Sequence, residues 1–530
     1  MRRFAQLLDE LSYTQGRNDK LALLTGYFRA TPDPDRGWAL AALTDGLPIR
    51  IALHRILTDL MAERIDPVLY KLSRDYVGDT AETVSLLWDD NAALSEASPG
   101  LDEIVTAFFA ASPAAMRPLL AGLLDRLDVR GRWALLKLLG GAPRVGVSAR
   151  LAKMGLATAI GKDIADIEEI WHGLKPPYAE LFAWAAGTSL RPDATGLPIF
   201  RPLMLAPPIE TGDWDNLQPQ DFAAEWKWDG IRVQIAATAG GVRLFSRNGD
   251  DISTAFPEIA KAFASRNVTV DGELLVMRDG EVAPFNDLQQ RLNRKSVTAR
   301  QAQSHPAHVR LYDILMDAGD DLRALAFDER RKRLEAWHIT AGAPLSDLSE
   351  LISFSDFTEL ATLRDGARAA GIEGLMLKRR TSPYLAGRPK GHWFKWKRDP
   401  LTLDCVLLYA QRGSGKRSSY YSDYTFGVWR NDDLGQRELV PVGKAYSGFT
   451  DAELKELDKF IRQNTVESFG PVRRVTPTLV LEVAFDAVQA SSRHKSGVAM
   501  RFPRIHCIRW DKPAAEADTL AAVLGLIAGS

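Results

Sequence analysis

In this chain of 530 residues the spacing of the apolar residues is helical up to about residue 195 and then includes runs of period two, and that change limits the folds it can adopt. Through residues 1–195 apolar side chains recur at helical spacing, as in "MRPLLAGLLDRLDV" (residues 116–129), where the leucines share one stripe. From about residue 222 the period becomes two. "IRVQIAA" and "VRLFSR" are alternating runs joined by a glycine-containing turn, which predicts a β-hairpin.

Turn-forming residues divide the chain into three predicted domains. The stretch 187–215 is rich in Gly, Pro, Asp and Thr and is interpreted as a linker out of an all-α domain, residues 1–195. Residues 200–399 alternate strand-like runs with helical segments, which favours an α+β domain. A proline in "KRDPLTLDC" marks a hinge, after which residues 400–530 hold short strands and turn signals typical of a small β-barrel.

Composition limits the class of protein. The 67 Lys and Arg nearly balance the 68 Asp and Glu, so any basic surface for a nucleic acid has to be local. Two cysteines, Cys405 and Cys507, exclude a disulfide scaffold and argue against a structural zinc site. The N-terminus lacks the apolar core of a signal peptide, and no apolar run reaches the length of a membrane span. We therefore expect a cytoplasmic protein without membrane contact.

The stretch "AEWKWDGIRVQI" (residues 224–235) contains the residue with the strongest chemical interpretation, Lys227. Most lysines in a protein are simply solvated. Here the flanking Trp226 and Trp228 favour a partly desolvated setting, which frees a neutral amine to act as a nucleophile. Gly230 lets the backbone approach a ligand closely.

A second stretch, "HWFKWK" (residues 392–397), supplies candidate phosphate ligands. In a strand, Lys395 and Lys397 lie on one face, and Phe394 and Trp396 lie on the other. Two neighbouring lysines repel each other unless an anion lies between them, and a phosphate is a natural partner. We therefore interpret the lysine face as a phosphate site.

Other polar residues have both a functional and a structural interpretation. "VDGEL" places Asp271 and Glu273 at i, i+2, but an isolated "DGE" more often forms a turn, which is the structure we expect. The ring of Tyr312 in "LYDIL" either stacks on a base or fills a core. Arg247 follows the second strand of the hairpin, and Glu373 precedes the predicted strand in "IEGLMLKRR".

Together these residues can support nucleotidyl transfer. Lys227, as a neutral amine, attacks the α-phosphate of a nucleotide. Arg232, Lys395 and Lys397 offset the charge that develops on the phosphoryl oxygens. A divalent metal held by a carboxylate, with Glu373 as the first candidate, orients the triphosphate. Mg²⁺ is preferred because it takes hard oxygen ligands together with phosphates.

Seven motifs follow one another along the chain: "KWDGIR", "SRNG", "DGE", "LYDIL", "EGLMLK", "WFKWK" and "RWDK". Each is weak to moderate alone, but in this order they resemble the ATP-dependent DNA ligase family over residues 200–512. The helical N-terminal region is similar to the DNA-binding domain of that family. The resemblance implies an adenylation domain followed by an OB-fold domain. It also implies ATP and nicked duplex DNA as substrates, Mg²⁺ as the metal ion, and a monomer, associated with the nucleoid if the source is a bacterium.

The resemblance also implies roles for single residues. Lys227 would carry AMP through a phosphoramide bond. Glu273 would contact the ribose and is a second candidate ligand of the metal ion. Glu225 and Tyr312 would help to hold the adenine.

Three more cations take roles from the resemblance. Arg247 would belong to the nucleotide and nick site. Arg509 and Lys512 of "RWDK" would approach the pyrophosphate from the barrel during lysine adenylation, and the barrel would then swing away to engage DNA. The chain departs from the family at Pro389, where many relatives carry an arginine, and we expect Arg388 to take that role.

Three runs of sequence carry unbalanced positive charge. Residues 374–398 hold eight Lys and Arg and no Asp or Glu, residues 493–512 hold six against one, and residues 291–300 add four. Solvated faces explain one such run, but three favour a footprint for the DNA phosphate backbone, which positions a substrate without reading its sequence. The loop "RGSGKRSS" (residues 412–419) lacks the spacing of a phosphate-binding loop, and DNA contact and simple solvation are equally weighted for it.

Other functions stay open. An RNA ligase or a capping guanylyltransferase carries a similar K-x-D-G stretch, but the long helical region favours a clamp on duplex DNA. An inert DNA-binding scaffold would keep the basic runs and lose the phosphate chemistry, and the intact lysines of both motifs argue against it. An NAD-dependent ligase is disfavoured because two cysteines cannot supply the zinc site of that family.

Overall fold

The chain forms two compact units. One comprises Met1–Gly161, Pro176–Phe182 and Pro400–Ser530, and the other comprises Lys162–Lys175 and Ala183–Asp399. The computed structural model describes all residues except 48, 50, 90–97, 142, 195, 293–296, 368–371, 414–420, 433, 447, 449, 492–493 and 528–530. The junction after Asp399 lies within "KRDP", where a hinge is expected. The division into three domains stays a prediction.

The N-terminal region is helical, as its apolar spacing predicts. Its helices are α1 (Arg2–Tyr13), α2 (Arg17–Ala30), α3 (Asp35–Leu43), α4 (Leu53–Ala62), α5 (Pro67–Val77), α6 (Thr80–Leu87), α7 (Leu101–Ala110), α8 (Met116–Asp125), α9 (Val129–Leu139), α10 (Ala149–Ile160), α11 (Ile164–Ile170) and α12 (Ala179–Ala185). The predicted leucine stripe is buried, with Leu120, Leu123 and Leu124 on the inner face of α8. Among the described residues, no helix combines the length and apolar character that crossing a bilayer requires.

The second unit contains two sheets and short helices. Its elements are β1 (Phe222–Trp228), β2 (Ile231–Thr238), β3 (Gly241–Ser246), α13 (Pro257–Ala262), β4 (Val268–Arg278), β5 (Glu281–Val282), α14 (Phe285–Gln289), α15 (Ala299–Ser304), β6 (Ala307–Asp317), β7 (Asp320–Asp321), α16 (Phe327–Ala341), β8 (Ser346–Leu348), β9 (Leu351–Ile352), α17 (Phe357–Gly366), β10 (Ile372–Arg379) and β11 (Trp393–Lys397). One sheet runs in the order β11-β10-β1-β9. The other runs β3-β2-β4-β6-β7, with β5 on β4 and β8 beside β6.

The period-two pattern of β1 separates an apolar face from a polar one. Phe222 and Ala224 pack into an apolar cluster with Phe394 of β11. Because side chains alternate along a strand, Glu225 and Lys227 lie on the opposite face. The sequence of β1 therefore places its charged residues together on the side away from this core.

Two predicted strand features are confirmed. β2 and β3 form the expected hairpin, with Thr238 opposite Gly241. "WFKWK" is β11, in which Phe394 and Trp396 both belong to the apolar cluster beside β1. Lys395 therefore lies on the other face, as predicted from the alternation.

The turn expected at "DGE" is wrong, because Asp271–Glu273 lies inside β4 and pairs with both β2 and β6. A Cβ at Gly272 would lie 2.7 Å from Val309 Cγ1 and 2.9 Å from Arg310 O of β6. The glycine therefore admits a neighbouring strand, and it does not form a turn.

The C-terminal region is rich in strands, as predicted. Its elements are β12 (Leu401–Arg412), β13 (Tyr421–Asn431), β14 (Arg437–Ala445), α18 (Asp451–Asn464), β15 (Thr465–Phe469), β16 (Val472–Val475), β17 (Val480–Phe485), β18 (Ala487–Ala490), β19 (Val498–Arg501), β20 (Arg504–Arg509) and α19 (Leu520–Leu524). The main sheet runs β14-β13-β12-β16-β15, and β17 joins β12 to β20.

Candidate active site

Lys227 lies near the end of β1, where its amine contacts Glu373. β1 pairs antiparallel with β10, so that Lys227 is opposite Gly374. Lys227 Nζ donates to Glu373 Oε2 at 2.5 Å, and the two side chains are 24% and 19% exposed. Gly374 has a φ of +147°, and a Cβ there would lie 2.3 Å from Trp396 O. Glycine therefore lets β10 approach β11 closely and brings the carboxylate to the amine.

The contact with Glu373 changes the interpretation of Lys227. The flanking tryptophans predict a neutral, desolvated amine, whereas the structure pairs the amine with a carboxylate. A neutral amine keeps its lone pair while one N–H donates to the carboxylate, and it has to lose one proton as the nitrogen–phosphorus bond forms. The carboxylate that binds the amine is also placed to receive that proton.

A group of cations surrounds Lys395. Burial lowers the pKa of Lys395, and the positive charges near it lower it further, namely those of Arg388, Lys397, Arg247 and Lys227. Lys397 Nζ lies 3.4 Å from Glu373 Oε2. The structure therefore brings together the two lysines of β11, the arginine after the hairpin and the arginine beside Pro389. An anion is the natural ligand of such a group.

Glu273 lies among these charges. Burial raises the pKa of Glu273 to about 7, and the nearby Glu373 acts in the same direction. Lys227 is the largest opposing influence, with Arg232 and Arg247 behind it. The two candidate metal ligands are therefore close enough to influence each other and the lysine.

Gly230 brings Glu273 close to the end of β1. A Cβ at Gly230 would lie 2.6 Å from Leu274 O and 2.7 Å from Glu273 Cγ. The close approach that this glycine permits in the structure is therefore to β4. Its expected role in admitting a ligand stays a prediction.

Arg232 lies in a polar network inside the unit. Its guanidinium donates to Asp271 Oδ2 at 2.7 Å, to Tyr384 Oη at 3.0 Å and to Met204 O at 2.6 Å. Asp271 is fully buried and also accepts a hydrogen bond from Gln234. Much of the donor capacity of Arg232 is therefore used by protein groups, and its role at phosphate stays a prediction.

Glu225 and Tyr312 meet at a residue that the sequence motifs did not single out, Lys378. Lys378 Nζ and Glu225 Oε1 are 2.9 Å apart, and both side chains are 2% exposed. The same nitrogen lies 4.5 Å from the centroid of the Tyr312 ring. Burial lowers the pKa of Lys378, against the raising influence of Glu225. The two predicted adenine ligands therefore share one buried cation.

Arg509 and Lys512 lie in the other compact unit. Arg509 donates to Asp511 Oδ1 at 3.0 Å and to Oδ2 at 2.9 Å, while Lys512 donates to Asp404 Oδ2 at 2.6 Å. These cations are paired with carboxylates of their own region. Their predicted role at the pyrophosphate stays a prediction.

Several cations of the basic runs also have carboxylate partners. The pairs are Lys378–Glu225, Arg379–Asp221, Arg380–Asp328, Arg291–Glu258, Arg504–Asp486 and Arg509–Asp511. A count of basic residues therefore overstates the charge available to DNA. Arg294, Lys295, Arg493 and most of the loop "RGSGKRSS" lie outside the described residues.

The two carboxylates fit a metal ion that arrives with a nucleotide. Within the part of the chain that the structure describes, no cluster of three or more His, Cys, Asp or Glu could hold a metal ion by itself. Mg²⁺ commonly binds through one or two carboxylates, with phosphates and water as its remaining ligands. Glu273 and Glu373 supply that number of carboxylates beside the cation group.

Sequence reasoning missed Lys378, Tyr384 and two residues near Trp228, which are Arg310 and Asp347. Lys378 lies in the motif "EGLMLK", and strand alternation places it on the same face as Met376. In the structure Met376 is opposite both Glu225 and Lys395, so this face is the one that carries the site. Tyr384 lies in an irregular segment without a sequence pattern. Its contact with Asp271 spans 113 residues, so only the fold reveals it.

Comparison with known proteins gives the same picture. A family model described as "ATP dependent DNA ligase domain" matches residues 203–397, and one described as "ATP dependent DNA ligase C terminal region" matches residues 417–512. The chain is 31% identical to the "Probable DNA ligase" of Koribacter versatilis (strain Ellin345), over 98% of this chain and 95% of the relative. It is 33% identical to the "Probable DNA ligase" of Anaeromyxobacter sp. (strain Fw109-5), over 98% and 96%.

The fold of the whole chain also has a counterpart among solved structures. A structure described as "Pmar-Lig_Pre." matches 96% of this chain and 99% of its own, with a TM-score of 0.59 and 17% identity. The family model and the relatives show a covalent nucleotidyltransferase, and the lysine held against a glutamate among cations suits such an enzyme. With relatives of this similarity over nearly its whole length, the chain belongs to the ATP-dependent DNA ligase family.

Proposed function

We propose that this enzyme seals nicks in duplex DNA as a monomer and that Lys227 is the residue that carries AMP. The observation that carries the proposal is the contact of Lys227 Nζ with Glu373 Oε2 at 2.5 Å, beside the cation group around Lys395. A nucleophile, a proton acceptor and phosphate-binding cations then lie within one site. Because its substrate is DNA, we propose that the enzyme acts in the cytoplasm, associated with the nucleoid if the source is a bacterium.

The first step is lysine adenylation. Lys227 Nζ attacks the α-phosphorus of ATP, a nitrogen–phosphorus bond forms, and the bond to the pyrophosphate oxygen breaks. The amine proton leaves along the hydrogen bond to Glu373 Oε2. Lys395, Lys397 and Arg388 offset the charge on the phosphoryl oxygens, and Arg247 belongs to the same group.

The base and the sugar have candidate ligands on the same unit. Tyr312 and Glu225 help to hold the adenine, and Lys378 contacts both of them. We assign the ribose contact to Glu273. Glu273 and Glu373 are the residues that would hold Mg²⁺, which when bound offsets the negative charge of the phosphates.

The later steps use DNA. AMP passes from Lys227 to the 5′-phosphate of the nick, and the 3′-hydroxyl then attacks that activated phosphate, forms the phosphodiester and releases AMP. Arg509 and Lys512 serve the first step by binding pyrophosphate. We also propose that the C-terminal strands form an OB-fold. In support of that fold, β12 pairs with β17 from Leu401 to Val406, and its register with β13 shifts between Leu407 and Tyr409.

The test of this function is a covalent AMP adduct. We expect wild-type protein incubated with ATP and Mg²⁺ to gain the mass of one AMP on Lys227, and Lys227→Ala to gain none. Lys261→Ala, an exposed lysine of α13, is the control and should form adduct as the wild type does. Adduct of wild-type yield in Lys227→Ala would remove Lys227 from the role of nucleophile.

The same assay separates the rival functions. We expect ATP and not GTP to form the adduct, and nicked duplex DNA and not RNA ends to be sealed. Adduct formation from GTP would favour a capping enzyme, and sealing of RNA ends would favour an RNA ligase. Salt-dependent DNA binding without any adduct would favour the inert scaffold.

A further inference from the structure

Trp228, the residue after Lys227, stacks against an arginine of the other sheet. The guanidinium carbon of Arg310 lies 4.3 Å from the centroid of the Trp228 ring. Trp228 is the last residue of β1, and the register of β1 with β10 shifts between Lys227 and Trp228. The ladder therefore contains a bulge at Glu373, beside the nucleophile, after which Trp228 pairs with Ile372 and its side chain contacts Arg310.

Arg310 is itself held rigidly. Its Nε donates to Asp347 Oδ1 at 2.9 Å and its Nη2 donates to Asp347 Oδ2 at 2.7 Å, so the ion pair is bidentate. Asp347 lies on β8, directly beside Arg310 in the parallel register of β6 and β8. His308 Nε2 lies 3.2 Å from the same carboxylate. Arg310 is 14% exposed, so water competes little for the stacking contact.

We propose that Trp228, Arg310 and Asp347 form a brace that positions Lys227 for nucleotidyl transfer. The inference rests on the proposed function of Lys227. β1 belongs to one sheet, and β6 and β8 belong to the other. The brace therefore joins β1, which carries the nucleophile, to β6, which pairs with the Glu273 strand β4. Arg310 is also directly opposite Glu273 across β4 and β6. The brace therefore sets the distance between the two sheets at the point where amine and carboxylates meet.

The brace acts on the rate and not on nucleotide affinity. None of its three residues belongs to the cation group around Lys395, and none belongs to the ion pair of Glu225 and Lys378. Misplacement of a nucleophile by about 1 Å can lower a rate about 100-fold. Loss of the brace should therefore lower the maximal rate of lysine adenylation far more than it weakens ATP binding, because the cations around Lys395 keep their positions.

The experiment measures single-turnover adenylation of the full chain without DNA, over a range of ATP concentrations. We expect Trp228→Leu, Arg310→Met and Asp347→Asn to lower the maximal rate about 10- to 100-fold, with half-saturating ATP changed by no more than about threefold. Trp228→Phe, which keeps an aromatic face, should recover most of the rate. The double variant Trp228→Leu/Arg310→Met should be no slower than the slower single variant, because both remove the same contact.

A second arginine–tryptophan contact provides the matched control. Arg437 lies 4.7 Å from the Trp429 ring in the C-terminal region, and Arg437→Met should leave the adenylation rate unchanged. Thermal unfolding of each variant identifies those that fail to fold, and if Trp228→Leu is among them, Arg310→Met, which removes the same contact and keeps the tryptophan, decides the question.

Three results would overturn the brace: an unchanged maximal rate in Trp228→Leu, a parallel loss of ATP affinity, or equal rates for Trp228→Leu and Trp228→Phe. If one of these results is found while Lys227→Ala forms no adduct, the brace is wrong but the proposed function is still supported. An active Lys227→Ala would instead remove the proposed function itself.

Discussion

Glu273 keeps its proton to a higher pH in the folded chain than in the unfolded chain. Its pKa rises from 4.5 to about 7 on folding, chiefly because of burial. Between these values the folded state holds a proton that the unfolded state has lost, so the free energy of unfolding falls as the pH rises. This loss of free energy of unfolding is absent below pH 4.5 and has its full value above about pH 7.

The consequence at this residue is a pH-dependent effect of Glu273→Gln. We expect the free energy of unfolding of the variant to gain on that of the wild type by on the order of 3 kcal/mol from about pH 4.5 to above pH 7, since one pKa unit is worth about 1.4 kcal/mol. Urea unfolding at several pH values measures it. Glu281→Gln, at an exposed position of β5, is the control. Parallel pH curves for wild type and Glu273→Gln would contradict the prediction.

Single residues also show where prediction from sequence ends. The placement of Lys395 and Lys397 on one face could be predicted, because strand alternation fixes it locally. The partner of Arg232 could not, because Asp271 is 39 residues away and reaches it only across the β2–β4 ladder. A motif names the residues of a site, but their partners depend on how distant strands align.

At the scale of elements, the same limit appears in the strands. The hairpin of β2 and β3 was predictable because its pattern and its turn are contiguous. The strand at "DGE" was not, because Gly272 is selected by the packing of β6 against β4 and not by its own neighbours in sequence. Local rules therefore predicted a turn where a contact with a distant strand requires glycine.

β1 and β10 are joined by one buried ion pair, Glu225–Lys378. Glu225→Ala leaves the Lys378 charge buried without its carboxylate, and we expect it to lower the free energy of unfolding by about 3–5 kcal/mol. The double variant Glu225→Leu/Lys378→Met removes both charges and should be less destabilised than Glu225→Ala. Guanidinium unfolding measures these effects.

An exposed ion pair is the control for the buried one. Arg474 and Glu467 join β15 to β16 with side chains 56% and 48% exposed, so Arg474→Ala should change stability little. If Glu225→Leu/Lys378→Met lost as much stability as the sum of Glu225→Ala and a single Lys378→Met variant, the two residues would not act as a pair.

At the scale of the whole molecule, the net charge of −1 means that cations for the DNA backbone have to be gathered locally, as in the eight Lys and Arg of residues 374–398. DNA binding through phosphates releases counterions, so log Kobs should fall linearly with log salt concentration. Arg388 and Lys390 are exposed, and we expect Arg388→Gln and Lys390→Gln each to reduce that slope by about 1. Arg379 is in the same basic run but is held by Asp221 at 3.0 Å, so Arg379→Gln should leave the slope nearly unchanged.

The measurement is the affinity for nicked duplex DNA at several salt concentrations, with an uncut duplex of the same sequence alongside. Equal losses of slope for Arg379→Gln and Arg388→Gln would mean that carboxylate partners do not decide which cations reach DNA. In that case the charge count of the sequence would be the better guide to the footprint, because each basic residue would contribute whatever its partner in the fold.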